Sequence, residues 1–279
     1  MNIGIRLHDV AGSTVEERAA LAVAQGFTCV HLAVTKVLSP AMGAPAAATP
    51  GFGCYLKRAL APLDVAVLGC YLNLTHPDES VYQKTLDKYI ASLRLAKWLG
   101  AGVVGTETGN PNAEYRFDPA QSHTEDALKL FIDRLTPVVE AAEKLGQTVA
   151  IEPVYKHIVC DGKRARRVLD AIHSPNLQII LDPVNLLAVE NLDRRESVIA
   201  EAVELLSEDV AVVHIKDYVR TGSELTAKAA GTGEMDYTAL AAWIARSKPQ
   251  VQMTLENTSR DTAESSRRLL EKLLEEAAS

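Results

Sequence analysis

Apolar residues in this chain fall into short runs separated by longer stretches with helical spacing. The runs cover residues 2–8, 28–34, 65–73, 102–108, 148–152, 177–182, 210–216 and 251–256, each short enough for a buried strand. Between them, residues 81–99, 124–145, 163–172, 195–206, 237–247 and 262–277 have the composition and length of helices, and a further helix is expected near 52–63. Ser13 with Glu16 three residues on has the pattern of a capping box opening the first helix. Strands alternating with helices imply crossover connections and a parallel sheet. Eight such units in one chain, with a helix last, predict a closed (β/α)8 barrel spanning 1–279 as one domain, with an open doubly wound sheet as the alternative. The Ala-, Pro- and Gly-rich segment 38–53 is too long for a minimal turn and reads equally as a lid over the second strand or as an inert surface insertion.

The period-two rule then assigns side chains to the two faces of each strand. Packing the large apolar residues outward against helices turns Gly4, Arg6 and His8 inward on the first strand. It does the same for Cys29, His31 and Ala33 on the second, for Gly69, Tyr71 and Asn73 on the third, and for Glu107 on the fourth. The last four strands each end on an inward ionisable group: Glu152, Asp182, His214 with Lys216, and Glu256. Pro153 and Pro183 directly follow two of these carboxylates and fix them as the last extended residues of their strands, at the rim where barrels of this type carry their active sites.

Three carboxylates and an imidazole converging on one axis repel one another unless a cation joins them. Oxygen donors with one imidazole suit a single divalent ion, Mn, Co, Mg or Zn, with Glu152, Asp182, His214 and Glu256 as its ligands. His8, Tyr71, Asn73, Glu107, His157 and Lys216 are candidates to orient a polyol around it, whereas His31 and Arg6 read more simply as satisfied polar groups of the barrel core. Arg220 and Arg260, with the hydroxyls at 221–223 and 258–259, follow the seventh and eighth strands, where phosphate sites are commonly built.

Composition narrows the function classes further. A net charge of −7 argues against nucleic acid as a partner. No apolar run approaches the length of a bilayer span, so no membrane partner is expected. The four cysteines form no CxxC pair and read as reduced thiols, and the first residues lack the basic and apolar regions of a signal peptide, so a cytoplasmic protein is expected.

The segments VAIEP (149–153), ILDPVN (180–185), VHIKD (213–217) and TLEN (254–257), with GTGEMDY (231–237), resemble the metal-ligand and glycine-rich motifs of the xylose isomerase-like TIM-barrel superfamily over essentially the whole chain. The resemblance implies that the same four ligands hold the metal and that Glu152 and Glu256 act as the catalytic acid/base pair of a sugar, keto-polyol or sugar-phosphate isomerase or epimerase. It equally admits a lyase similar to inosose dehydratase, and a non-catalytic carbohydrate-binding barrel is the remaining reading. Similar proteins are commonly dimers or tetramers, so a homo-oligomer is possible, though no interface signature is visible. Two positions depart from the epimerase pattern: Asn185 stands where a His is usual and Ile158 where a Glu is usual, while the Arg six residues after the ligand His is kept as Arg220.

Overall fold

Eight parallel strands close on themselves in a computed structural model that describes residues 1–278. In chain order they are β1 (Asn2–Arg6), β2 (Cys29–Leu32), β3 (Asp64–Gly69), β4 (Val103–Glu107), β5 (Val149–Glu152), β6 (Leu177–Leu181) and β7 (Val210–Ile215), a short hairpin of β8 (Asp217–Thr221) and β9 (Glu224–Lys228), and finally β10 (Gln252–Leu255), which pairs with both β7 and β1 to complete the barrel. The outer layer consists of α1 (Val15–Ala24), α2 (Val34–Val37), α3 (Pro50–Leu60), α4 (Glu79–Leu99), α5 (Pro119–Ser122), α6 (Glu125–Leu145), α7 (Gly162–Ile172), α8 (Arg195–Leu206), α9 (Thr238–Ser247) and α10 (Ala263–Ala278). The expected closed barrel is the observed one. No described helix is long and apolar enough to cross a membrane.

Local chemistry explains the element boundaries. α1 begins one residue later than Ser13 and Glu16 suggested: Thr14 caps it, accepting from the Glu17 amide at 3.1 Å, while the Glu17 carboxylate accepts from the amides of Ser13 and Thr14. Both residue pairs satisfy the capping pattern, but starting at Thr14 places Val15, Ala19 and Ala22 on the buried face. α4 and α6 stop at Gly100 and Gly146, whose φ of +82° and +63° suits the left-handed closing turn that other residues resist.

The core has two parts. Outward residues such as Ile5, Val30, Leu68, Val104, Ile151, Ile179 and Val213 pack against the helices. Inside, Cys29, Val67, Val103, Ala150, Ile180 and Val212 form an apolar plug at the lower end of the barrel. The alternation slips by one residue at two places, where β2 pairs with β3 (between Val30 and His31) and where β6 pairs with β7 (between Ile179 and Ile180). Because each irregularity lies before the strand's C-terminal end, the expected inward residues at the rim keep their orientation.

Segment 38–53 is neither bare loop nor inert insertion. It folds into two 3-10 turns (Pro40–Gly43 and Pro45–Ala47) that lead into α3, capped by Thr49, and Pro40, Met42, Gly43, Ala44 and Ala48 form one wall of the large cavity at the barrel mouth.

Candidate metal centre and barrel-mouth site

Glu152 ends β5 with its carboxylate buried, and Asp182 lies one residue past β6, completely buried. Asp182 Oδ1 accepts from the amides of Val184 at 2.9 Å and Asn185 at 3.1 Å, a turn made possible by Pro183, and this leaves Oδ2 facing the axis. His214, also fully buried, points Nδ1 at Glu152 Oε1 (3.3 Å) and Glu256 Oε1 (3.4 Å) at once. A single N–H cannot serve both. A cation held at roughly 2.1 Å from its donors spaces neighbouring donors by about 3 to 3.5 Å, which is the spacing His214 Nδ1 keeps to each glutamate oxygen. Among the described residues, the donors of Glu152, Asp182 and His214 lie within 4.8 Å of one another, as do those of His31, His214 and Glu256. The donor chemistry suits a divalent ion, but the donors fall into two groups that share His214, and the second includes His31 beside Glu256, a residue the strand parity placed inward without naming it a ligand.

Lys216 pairs with the carboxylates of this set rather than with Glu107. Its ammonium lies 2.8 Å from Asp182 Oδ2 and 3.0 Å from Glu256 Oε2, the second oxygen of a carboxylate whose first faces His214. Arg6 adds a further positive charge 3.6 Å from Glu256 Oε2 and is itself held by Asp9 at 2.9 Å. Burial would raise the Glu256 carboxyl, but Lys216, His214 and Arg6 together hold it well below the usual range. Burial likewise works to lower His214, yet Glu152 and Glu256 override it and push the imidazole up to about 9. Asp182 is pushed up to about 6 by burial, against the pull of Lys216.

Asn185, at the position where the family resemblance expects His, donates from Nδ2 to Glu152 Oε1 at 2.7 Å. It thus braces a ligand carboxylate from behind, a role an amide fills as well as an imidazole.

The polar wall opposite the carboxylates is a stack of rings. His31 lies 5.3 Å from His214 and 5.5 Å from Tyr71, centroid to centroid, and His8 meets its edge at 6.3 Å. Both ring nitrogens of His31, Nδ1 of His8 and the Tyr71 hydroxyl are buried with no hydrogen-bond partner. Burial keeps His8 neutral, down to about 4, and lowers His31 well below the usual imidazole range as well. Unpaired polar groups of this kind are costly unless a ligand satisfies them. This corrects the expectation that His31 is a satisfied core residue, whereas Arg6, held by Asp9 and facing Glu256, has the partners expected of it.

Glu107 lines the same cavity and lies directly opposite Glu152 in the β4–β5 register. Burial, reinforced by the Glu152 charge, pushes its carboxyl up to about 7. The Tyr115 hydroxyl donates to it at 3.4 Å, and His157 Nδ1 stands behind it at 3.8 Å. The native protein retains a proton here that the unfolded chain releases near pH 4.5, so this group costs stability as pH rises from about 4.5 to 7, and the cost is complete above 7. Glu107→Gln in metal-stripped protein is expected to gain on the order of 1–2 kcal/mol over wild type at pH 8 and little at pH 5, read from urea midpoints. An equal difference at both pH values would contradict this.

Two expected substrate contacts lie elsewhere. Asn73 is consumed by the scaffold: its amide donates to the carbonyls of Asn110 and Asn112 and accepts from Thr75, bracing the loop after β4. Arg220 is exposed on the β8–β9 hairpin, with Nε donating to the Gly222 carbonyl. The chain runs on past Lys216 as β8 and turns back only at 222–223, which leaves position 220 near the exposed tip of the hairpin. Arg260 is exposed too, so neither arginine builds a phosphate grip at the mouth. The glycine-rich segment serves the scaffold, with the amides of Gly231, Gly233 and Met235 donating to the Asp217 carboxylate at 3.1, 2.9 and 2.8 Å. A Cβ on Gly233 would lie 2.1 Å from the Tyr218 carbonyl oxygen, so only glycine permits the approach.

Solved structures share this architecture. The 3-keto-D-glucoside 4-epimerase YcjR from E. coli superposes with a TM-score of 0.76 at 17% identity, over 98% of this chain and 99% of its own. A D-tagatose 3-epimerase-like protein gives 0.76 at 17% identity over 99% and 98%. The IOLI protein with a bound zinc atom gives 0.74 at 15% identity over 100% and 98%. No curated protein sequence matches the chain. The sequence model of the xylose isomerase-like TIM barrel matches residues 19–275, from the first helix to the last. With the ligand-bearing strands inside that match, the chain belongs to the xylose isomerase-like TIM-barrel family.

Proposed function

We propose that this protein is a divalent-metal-dependent isomerase or epimerase of a small sugar or keto-polyol, working by proton transfer next to a carbonyl. The observation that carries the reading is the pair of carboxylates, Glu152 at the end of β5 and Glu256 just past β10, held 3.3 and 3.4 Å from the same imidazole nitrogen. A bound cation, held by Glu152, Asp182, His214 and Glu256, would polarise the carbonyl and offset the charge of an enediolate. Two carboxylates on opposite sides of a sugar carbon can remove a proton from one face and return one to the other. Lys216 and Arg6 keep Glu256 ionised, and Asn185 donates a hydrogen bond to Glu152. Tyr71, His31 and His8 offer unpaired donors and acceptors to the substrate hydroxyls. The epimerases among the structural relatives support the same chemistry.

The proposal is tested by stripping the protein of metal, resupplying Mn²⁺, and incubating it with ketoses and keto-inositols in D₂O. NMR is expected to show deuterium entering beside the carbonyl only in the resupplied sample, with substrate mass otherwise conserved. Exchange that is indifferent to metal would overturn the metal role, and the absence of exchange with every substrate would overturn the isomerase reading. One observation favours a second reading. Glu107, pushed up to about 7, is available to protonate a departing hydroxyl, and a dehydratase would give a product lighter by one water.

A further inference from the structure

The cavity above the carboxylates encloses 630 Å³, well beyond what one six-carbon sugar fills. Its two ends differ in chemistry. At the barrel axis lie Arg6, His8, His31, Glu152, Lys216 and Glu256. Past Tyr71 and Leu72 the same cavity continues outside the strands, between the 3-10 turns of segment 38–53 and α4. Its walls there are Val34, Met42, Ala48, Leu68, Ala91 and Leu95. Small residues line this arm: Gly43, Ala44 and Ala48 on the turns, and Ala91 and Ser92 on α4. The arm ends near Lys88 and Ser92, one helical turn apart. A free sugar needs only the polar end. An arm continuous with that end and lined by aliphatic groups suits a hydrocarbon attached to the sugar.

We infer that the substrate is a keto sugar or keto-polyol carrying an apolar substituent, such as an alkyl or aryl glycoside with a ketone on its ring, whose ring occupies the barrel mouth and whose substituent lies in the arm between segment 38–53 and α4. This rests on the reading of the mouth as a sugar site. The arm contributes affinity by burial, worth about threefold for each methylene that leaves water. The sugar end contributes position, because the unpaired groups of Tyr71, His31 and His8 are matched only by hydroxyls.

Methyl, butyl and hexyl β-glucosides titrated calorimetrically into Mn²⁺-loaded protein test the inference. Affinity is expected to climb from methyl to hexyl by about two hundredfold, at roughly threefold per methylene. Ala91→Phe, which fills the arm, is expected to flatten the series from methyl to hexyl. Ala44→Phe, at an exposed position on the turns, repeats the test if the α4 variant does not fold. A flat series in the wild type overturns the inference, and so does a climb that survives in a folded filled-arm variant, since the chain would then be binding elsewhere. The deuterium exchange measurement separates the two layers. Exchange into a free ketose together with a flat glucoside series removes the arm and leaves the sugar site, whereas no exchange and no glucoside binding removes both.

Discussion

Glu152→Gln is expected to lower turnover by about 10³-fold or more and to abolish deuterium exchange in one direction of the reaction. The substitution removes a proton acceptor, itself worth about 10² to 10⁴-fold, and weakens one of the four donors around the cation. It also turns the hydrogen bond from Asn185, now 2.7 Å long, toward a group that no longer carries charge. Glu256→Gln is expected to fall by a similar factor but with the opposite direction of exchange lost, because the two carboxylates address opposite faces of the substrate carbon. Metal content, measured by elemental analysis of each variant, separates lost coordination from lost proton transfer. A Glu152→Gln protein with normal metal content and near wild-type turnover would remove this carboxylate from the chemistry.

The second large effect concerns stability. Lys216 is the cation nearest to both Asp182 and Glu256, at 2.8 and 3.0 Å, and all three side chains are buried. Removing one partner of a buried ion pair costs about 3–5 kcal/mol, and here it strips the fully buried Asp182 of its ammonium partner while Glu256 keeps Arg6 and His214. Lys216→Met in the presence of EDTA is therefore expected to lose stability by that amount and to melt on the order of 10 °C lower than wild type. Added Mn²⁺ should restore much of the loss, and should stabilise the variant more than it stabilises wild type, since the metal then supplies the positive charge the ammonium had supplied. Melting within about 2 °C of wild type in EDTA would show that the ion pair contributes little, and equal metal stabilisation of both proteins would show that Lys216 and the cation act independently.

The mouth of the barrel is largely legible in the sequence, and the reason is geometric. Strand parity is a local property with a period of two, so the apolar face of each strand fixes the inward face, and Pro153 and Pro183 mark where two of the strands end. That is how Glu152, Asp182, His214 and Glu256 stand out among residues far apart in the chain. The misreadings share a different cause. Asn73 and Arg220 have suitable positions along the chain, but their fates depend on what folds next to them: the loop carbonyls of Asn110 and Asn112 claim the first, and the β8–β9 hairpin carries the second outward. His31 fails in the opposite sense, being assigned partners that it lacks. Segment 38–53 has no periodic signal, and its role as a cavity wall arises only from its packing against α4.

By itself the sequence determined the barrel, the face each strand turns inward and the four residues that meet at its rim, because hydrophobic alternation and proline placement act within a few residues. Only the tertiary structure decided which polar atoms remain unpaired, that Lys216 bridges Asp182 and Glu256, and that an aliphatic arm opens beside the carboxylates. Those outcomes depend on distances of a few ångströms between elements far apart in the chain, and no local pattern encodes such distances.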